Sequence, residues 1–278
     1  MKISSDQGVV SDPKKEIEQV AEAEAGNLRS SLRFLGERSK LASDVLCLYN
    51  LITRSVEWTS APTEEEQQAL FVMLMLTAGC RFQLTMSVLQ NWRGRMAEAL
   101  APLRRASELC ASACHIRRNP GLATIWLSVS KGDEAYKRHK DAFKLKAIFP
   151  KDDPTLSRLF GIFDSSSKLI HCSLYSLASQ VRDAGFFRYF DIAGPTEPAL
   201  IRTYIHIVSA HELMLRAFID AFGGALTDAE TVKAEFKVFS ERLQRHRDSH
   251  RELAMSDIPQ AALDRAAKRQ RSQTRDGS

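Results

Sequence analysis

Apolar residues recur three and four positions apart along nearly the whole chain. Nowhere do they alternate with period two over enough residues to build a sheet. Asp12 and Pro13 make a helix start, an acidic cap followed by proline at the first helical position. The first helix, charged and alanine-rich, is expected to end near Ala25, where Gly26-Asn27 interrupts the pattern. A second runs over residues 28–58 with Leu32, Leu35, Leu41, Val45, Leu48, Leu51, Ile52 and Val56 on its apolar side. Thr63-Glu-Glu-Glu66 is a capping box that opens a third helix. This helix is apolar nearly all round from Ala69 to Leu76, so it is expected to be buried on every side, in the middle of a bundle. It ends at Trp92-Arg93-Gly94.

A fourth helix over residues 95–118 stops at Asn119-Pro120. Residues 122–129 form a short helix carrying Trp126, and Gly132 separates it from a charged helix over 133–148 with Tyr136, Phe143 and Ile148 inward. Asp152-Asp153-Pro154 is a second cap-and-proline start. Its helix continues to about Arg182 on a stripe of Leu156, Leu159, Phe163, Ser167, Ile170, Leu174, Leu177 and Val181. The aromatic, glycine-bounded stretch 185–194 reads as an irregular or extended plug over the bundle. Thr196 caps the next helix, which ends at Gly223-Gly224. Thr227-Asp-Ala-Glu230 is a further capping box, opening a last helix to about Ala254. The fold class is therefore all-α: a single bundle of about seven to nine helices over residues 13–254, between a disordered N-terminus (1–12) and a basic, flexible tail (255–278).

The fourth helix carries a polar line set into a core pattern. Met96, Leu100, Leu103, Ser107, Cys110 and Cys114 share one face, and Ala97, Ala101, Arg104, Glu108, Ala111 and His115 lie on the adjacent line. Arg104 and Glu108 are four apart and can pair along the helix, and the small residues around them let another helix approach. Such a pair is either structural glue or the floor of a site. If it is buried glue, Glu108→Ala strands Arg104 and costs about 3–5 kcal/mol.

Composition narrows the class. Of 278 residues 44% are hydrophobic, enough for a real core, and glycine and proline are scarce, which favours helix. The formal net charge is +5, but residues 264–278 hold five Lys/Arg against two Asp, leaving only about +2 for the body. Nucleic acid is thus a weak expectation, through the basic tail. The five cysteines, an odd number, lie inside apolar helical patterns and read as reduced thiols. The N-terminus lacks the apolar core of a signal peptide, so a cytoplasmic location is expected. Residues 70–89 are interrupted by Arg81 and Gln83 and read as a buried bundle helix rather than a membrane span.

Candidate chemistry is sparse. Asp164, Ser167 and His171 share one helix face, but seven residues of helix rise about 10.5 Å, too far for Asp164 to orient His171 directly. Ser167 and His171, four apart, can hydrogen-bond. Cys110 and Cys114 offer two metal corners with nothing to complete a tetrahedral site, and His206 and His211, five apart, face different ways. No metal and no cofactor are expected, and no phosphate loop, dinucleotide fingerprint or nucleophile elbow is present.

The segment Arg245-His246-Arg247-Asp248-Ser249-His250 has Arg245 and His250 separated by four residues. It resembles the active-site motif of the HEPN ribonucleases, all-helical proteins of prokaryotic defence and toxin systems. That resemblance implies RNA cleavage by Arg245 and His250 in a site shared across a dimer. A second resemblance rests on Leu103, Arg104, Glu108, Asn119, Pro120, Trp126, Ser167 and His171. The chain there is similar to a group of uncharacterised bacterial helical proteins with a Leu-Arg-x-x-x-Glu helix and a later Ser-x-x-x-His helix. It implies an all-helical fold in which Arg104, Glu108, Ser167 and His171 sit together where two core helices cross. Three functions follow as expectations: an interaction, regulatory or scaffold protein working with a protein partner or as a homo-oligomer; an RNA-cleaving enzyme; or a small-ligand sensor with a pocket near Arg104.

Overall fold

A computed structural model describes residues 13–170, 181–182, 186–187 and 197–256. Apart from one two-residue ribbon the regular structure over these is helical: α1 (Pro13–Leu35), α2 (Lys40–Ser55), α3 (Glu64–Trp92), α4 (Met96–Arg118), α5 (Leu122–Leu127), α6 (Asp133–Ala142), α7 (Pro154–Ile170), α8 (Glu197–Phe222) and α9 (Ala229–Ser256), with a single helical turn at Leu145–Ile148. The expected disordered N-terminus, the flexible tail and most of the aromatic plug lie outside the described residues.

The α3–α4 hairpin is the spine. Helices α7 and α8 pack on α4, α8 also packs on α3 and α2, and α9 covers α2 and α8. One continuous core joins these helices. Small residues let α4 take its central place: Ala99, Ala106, Cys110, Ala111 and Ala113 are fully buried, with Leu103 and Ile116 as the large side chains between them. The approach to α3 is close enough for the Cys80 thiol to donate to the Ala106 carbonyl at 3.3 Å.

Two caps form as the sequence predicts. Thr63 Oγ1 accepts from the Glu66 backbone N–H at 3.2 Å and donates to Glu66 Oε2 at 3.0 Å. Asp153 Oδ1 accepts from the Leu156 N–H at 2.9 Å and opens α7. Asp12 and Thr196 lie outside the described residues, and Thr227 and Glu230 do not form a box. Thr227 gives its hydroxyl to the Ser55 carbonyl at 3.0 Å, and Glu230 turns to Lys233 at 2.9 Å. Thr227 thereby ties the start of α9 to the end of α2, beside the isolated bridge between Val56 and Leu226.

Other boundaries shift for local reasons. α1 runs through Gly26-Asn27, and the break falls at Gly36, whose φ of +49° takes the left-handed conformation that glycine adopts without strain. The charged helix expected over 133–148 stops at Ala142, and Tyr136 points outward, 60% exposed, while Ala135 faces the core. The helix expected to reach Arg182 is described to Ile170, and Val181–Arg182 instead pairs with Phe186–Phe187 in a two-residue antiparallel ribbon. The most consequential difference is in α3. Val72, Met73, Leu76, Cys80 and Leu84 are buried, but Phe71, Met75, Ala78 and Phe82 are exposed. The helix is central on one side and open on the other.

Candidate functional site

The crossing of α4 and α7 brings Arg104 close to the Ser167 helix, but not in the predicted pairing. Arg104 does not ion-pair with Glu108, which is exposed. The guanidinium lies over the Phe163 ring, 5.0 Å from its centroid, and its buried Nε has no hydrogen-bond partner. Ser167 donates its hydroxyl to the Phe163 carbonyl at 2.7 Å, one turn back. His171 lies outside the described residues. Glu108 acts only at a distance, favouring the charged form of His139, whose pKa burial nonetheless lowers. We therefore expect Glu108→Ala to leave stability within about 0.5 kcal/mol, far from the cost of stranding a buried arginine. Arg104→Ala should cost about 1–2 kcal/mol through the lost ring contact and stem packing. Urea midpoints of the two variants check both.

On α9, Arg245 is exposed, and the side chain of His250 lies outside the described residues. The neighbouring arginines have structural partners. Arg242 pairs with Asp44 of α2 at 2.5 Å. Arg247 donates through Nε to Ser209 at 3.0 Å and through a terminal nitrogen to Glu212 at 2.6 Å, bracing α9 against α8. His246 is half-buried; burial and the nearby Arg38, Arg245 and Arg242 all lower its pKa.

Between α7, α8 and α9 lies a cleft of about 720 Å³, lined among others by Arg158, His206, Glu212, Arg216, Ser240 and Arg247. Glu212 already answers Arg247 and stands 3.9 Å from Arg216, so much of the cleft's polarity is internally neutralised. A second cleft of about 730 Å³ follows the end of α4, past Cys114, His115 and Arg118 to Asp153 and Asp220. There His115 bonds the Ala142 carbonyl at 3.2 Å and Arg118 reaches Asp153 at 3.5 Å. Cys110 is buried and its thiol meets the Met214 carbonyl at 3.8 Å; burial raises its pKa and that of Cys80, so both are neutral thiols. Among the described residues no three His, Cys, Asp or Glu side chains are placed to hold a metal ion.

The outer face of α3 is different, because nothing among the described residues covers it. Phe71, Met75, Ala78 and Phe82 follow steps of four, three and four, so they form one straight stripe along the helix. Phe71 is 40%, Met75 44% and Phe82 58% exposed. Trp58 widens the stripe at its N-terminal end, its ring centroid 5.5 Å from that of Phe71. The stripe ends in opposite charges, Glu64 at the start of α3 and Arg93 at its C-cap, both exposed. Such an unbroken apolar face is the mark of a surface that meets another molecule. Sequence reading finds its residues but assigns them to the core.

No protein-family model, curated protein or solved structure matches this chain, so its function is argued from its own geometry.

Proposed function

We propose that the protein is an interaction module, a helical scaffold or regulator that works by presenting the outer face of α3 to a partner. The observation that carries this reading is the exposed stripe of Phe71, Met75, Ala78 and Phe82 on an otherwise well-buried helix. Leaving that much apolar surface in water is unfavourable by about 25 cal/mol per Å², and covering it supplies the driving force for association. The stripe is built on the central hairpin rather than on a loop. Its backbone is therefore held before the partner arrives, and little ordering entropy opposes docking.

The test is a photo-crosslinking amino acid placed at Phe82 in the full chain, with a second probe at Lys233 on the exposed side of α9 as control. Position 82 should give a discrete adduct in cells and position 233 none. An unmodified chain at position 82 sinks the reading. Position 82 tolerates the probe because the side chain there is mostly in solvent.

A further inference from the structure

The proposal that follows rests on the interaction reading and names the partner. The charges and side chains of the α3 stripe have a two-fold symmetry of their own. Their midpoint is the Ala78–Gly79 bond. Met75 and Phe82 are equidistant from it, as are Phe71 and the half-buried Met86, and as are Glu64 and Arg93. We propose that α3 pairs with α3 of a second copy of this chain, antiparallel, about a two-fold axis at Ala78–Gly79.

In that arrangement each ring meets a thioether. Phe82 faces the other copy's Met75, and Phe71 faces its Met86, a favourable pairing of polarisable sulfur with aromatic edge. At the centre Ala78 lies opposite Gly79 of the other copy and one residue's rise from its own counterpart, where small residues allow the helices to come close. Glu64 at one end meets Arg93 of the other copy, and the contact occurs twice. Neither residue has an ion-pair partner among the described residues, and both are exposed; Glu64 accepts only a neutral bond from Gln68 Nε2 at 3.3 Å. A parallel pairing sets Glu64 against Glu64 and Arg93 against Arg93, which is repulsive at both ends. The 29 residues of α3 extend for about 44 Å, long enough for an isologous interface of useful size.

The same residues weigh against a lipid surface. α3 is long and apolar enough, by length and composition, to cross a membrane. Its exposed apolar stripe, however, is narrow and bordered by the exposed Arg81, and its buried side is committed to α4. A stripe one or two side chains wide is the shape of a helix–helix seam.

The experiment is sedimentation equilibrium on the full chain at about 50 µM, because the fraction paired depends on protomer concentration. Wild type should have twice the 31.2 kDa chain mass. Phe82→Asp should be monomeric, with association weakened at least about tenfold and a nearly unchanged thermal melt of the separated protomer's helical signal, since Phe82 is 58% exposed. Glu64→Arg should weaken pairing and Glu64→Arg/Arg93→Glu should restore it. A monomeric wild type overturns the proposal, and so does a dimer indifferent to Phe82→Asp. Equal weakening in the single and double charge variants overturns the antiparallel register. Co-sedimentation of a monomeric wild type with phosphatidylcholine–phosphatidylserine vesicles, lost in Phe82→Asp, overturns it in favour of a membrane. A monomeric chain that still crosslinks from position 82 to another protein overturns the second copy and leaves the interaction reading standing; no crosslink and no dimer overturns both.

Discussion

Acidification from pH 6.5 to 4.5 should remove about 2 kcal/mol of stability through one buried histidine. His211 is fully buried on α8, with Nδ1 2.9 Å from the Tyr49 hydroxyl and Nε2 without a partner. Burial alone lowers its pKa from 6.5 to about 3. Tyr49 is equally buried, and burial raises its pKa, so the pair is a neutral hydrogen bond at physiological pH. The sign follows from linkage. Below pH 6.5 the unfolded chain takes a proton at His211 while the folded chain refuses it until about pH 3. Stability is therefore full above 6.5 and falls by about 1.4 kcal/mol per pH unit through that window. His115, His139, His206 and His246 are also lowered, chiefly by burial, and steepen the loss in the same direction. Urea unfolding at a series of pH values, on wild type and His211→Gln, separates the contributions. The variant should lose about one proton's worth of slope whatever its absolute stability. Equal slopes in the two proteins mean that His211 titrates normally; a resonance of the wild-type ring titrating near 6.5 says the same without a mutant.

That histidine shows where sequence reading stops. Its partner Tyr49 is 162 residues away, and nothing in the local pattern around His211 marks it as buried and neutral. The helices themselves were legible because each carries its own periodicity, and Thr63 and Asp153 because a cap is a local arrangement. Gly26 and Gly36 look alike in sequence, and only the left-handed backbone at Gly36 separates the one that breaks a helix from the one that does not. The α3 stripe hides in the sequence for a related reason. An apolar helix reads the same whether its outer face meets the same chain or a different molecule, since the pattern records hydrophobicity and not what covers it. The Arg104 line reads as polar, and its pattern suggests Glu108 as partner. Its true neighbour, the Phe163 ring, lies on another helix, and a ring offers no charge pattern to find.

Truncating Leu103 or enlarging Ala106 should each destabilise the fold, by opposite means. Leu103 is fully buried on α4, the helix that touches α3, α7 and α8 at once. Leu103→Ala removes its packing and leaves a cavity that three helices must collapse to fill. The loss should be about 2–5 kcal/mol, toward the upper end if the surrounding helices hold their positions. Ala106 is fully buried against α3, and its carbonyl accepts from the Cys80 thiol at 3.3 Å. At the neighbouring residue of α3, a Cβ placed on Gly79 already comes to 3.0 Å from the Leu109 side chain, so that seam has little slack. Ala106→Leu therefore forces α3 and α4 apart and should cost about 1–3 kcal/mol. The two changes share the same seam and should not add: the added methylenes at position 106 lie close to the space vacated at 103, so the double variant should lose less than the sum of the singles. Urea unfolding of the three variants measures this directly. Strict additivity means that the two positions do not share space and that the α3–α4 seam is looser than its contacts indicate.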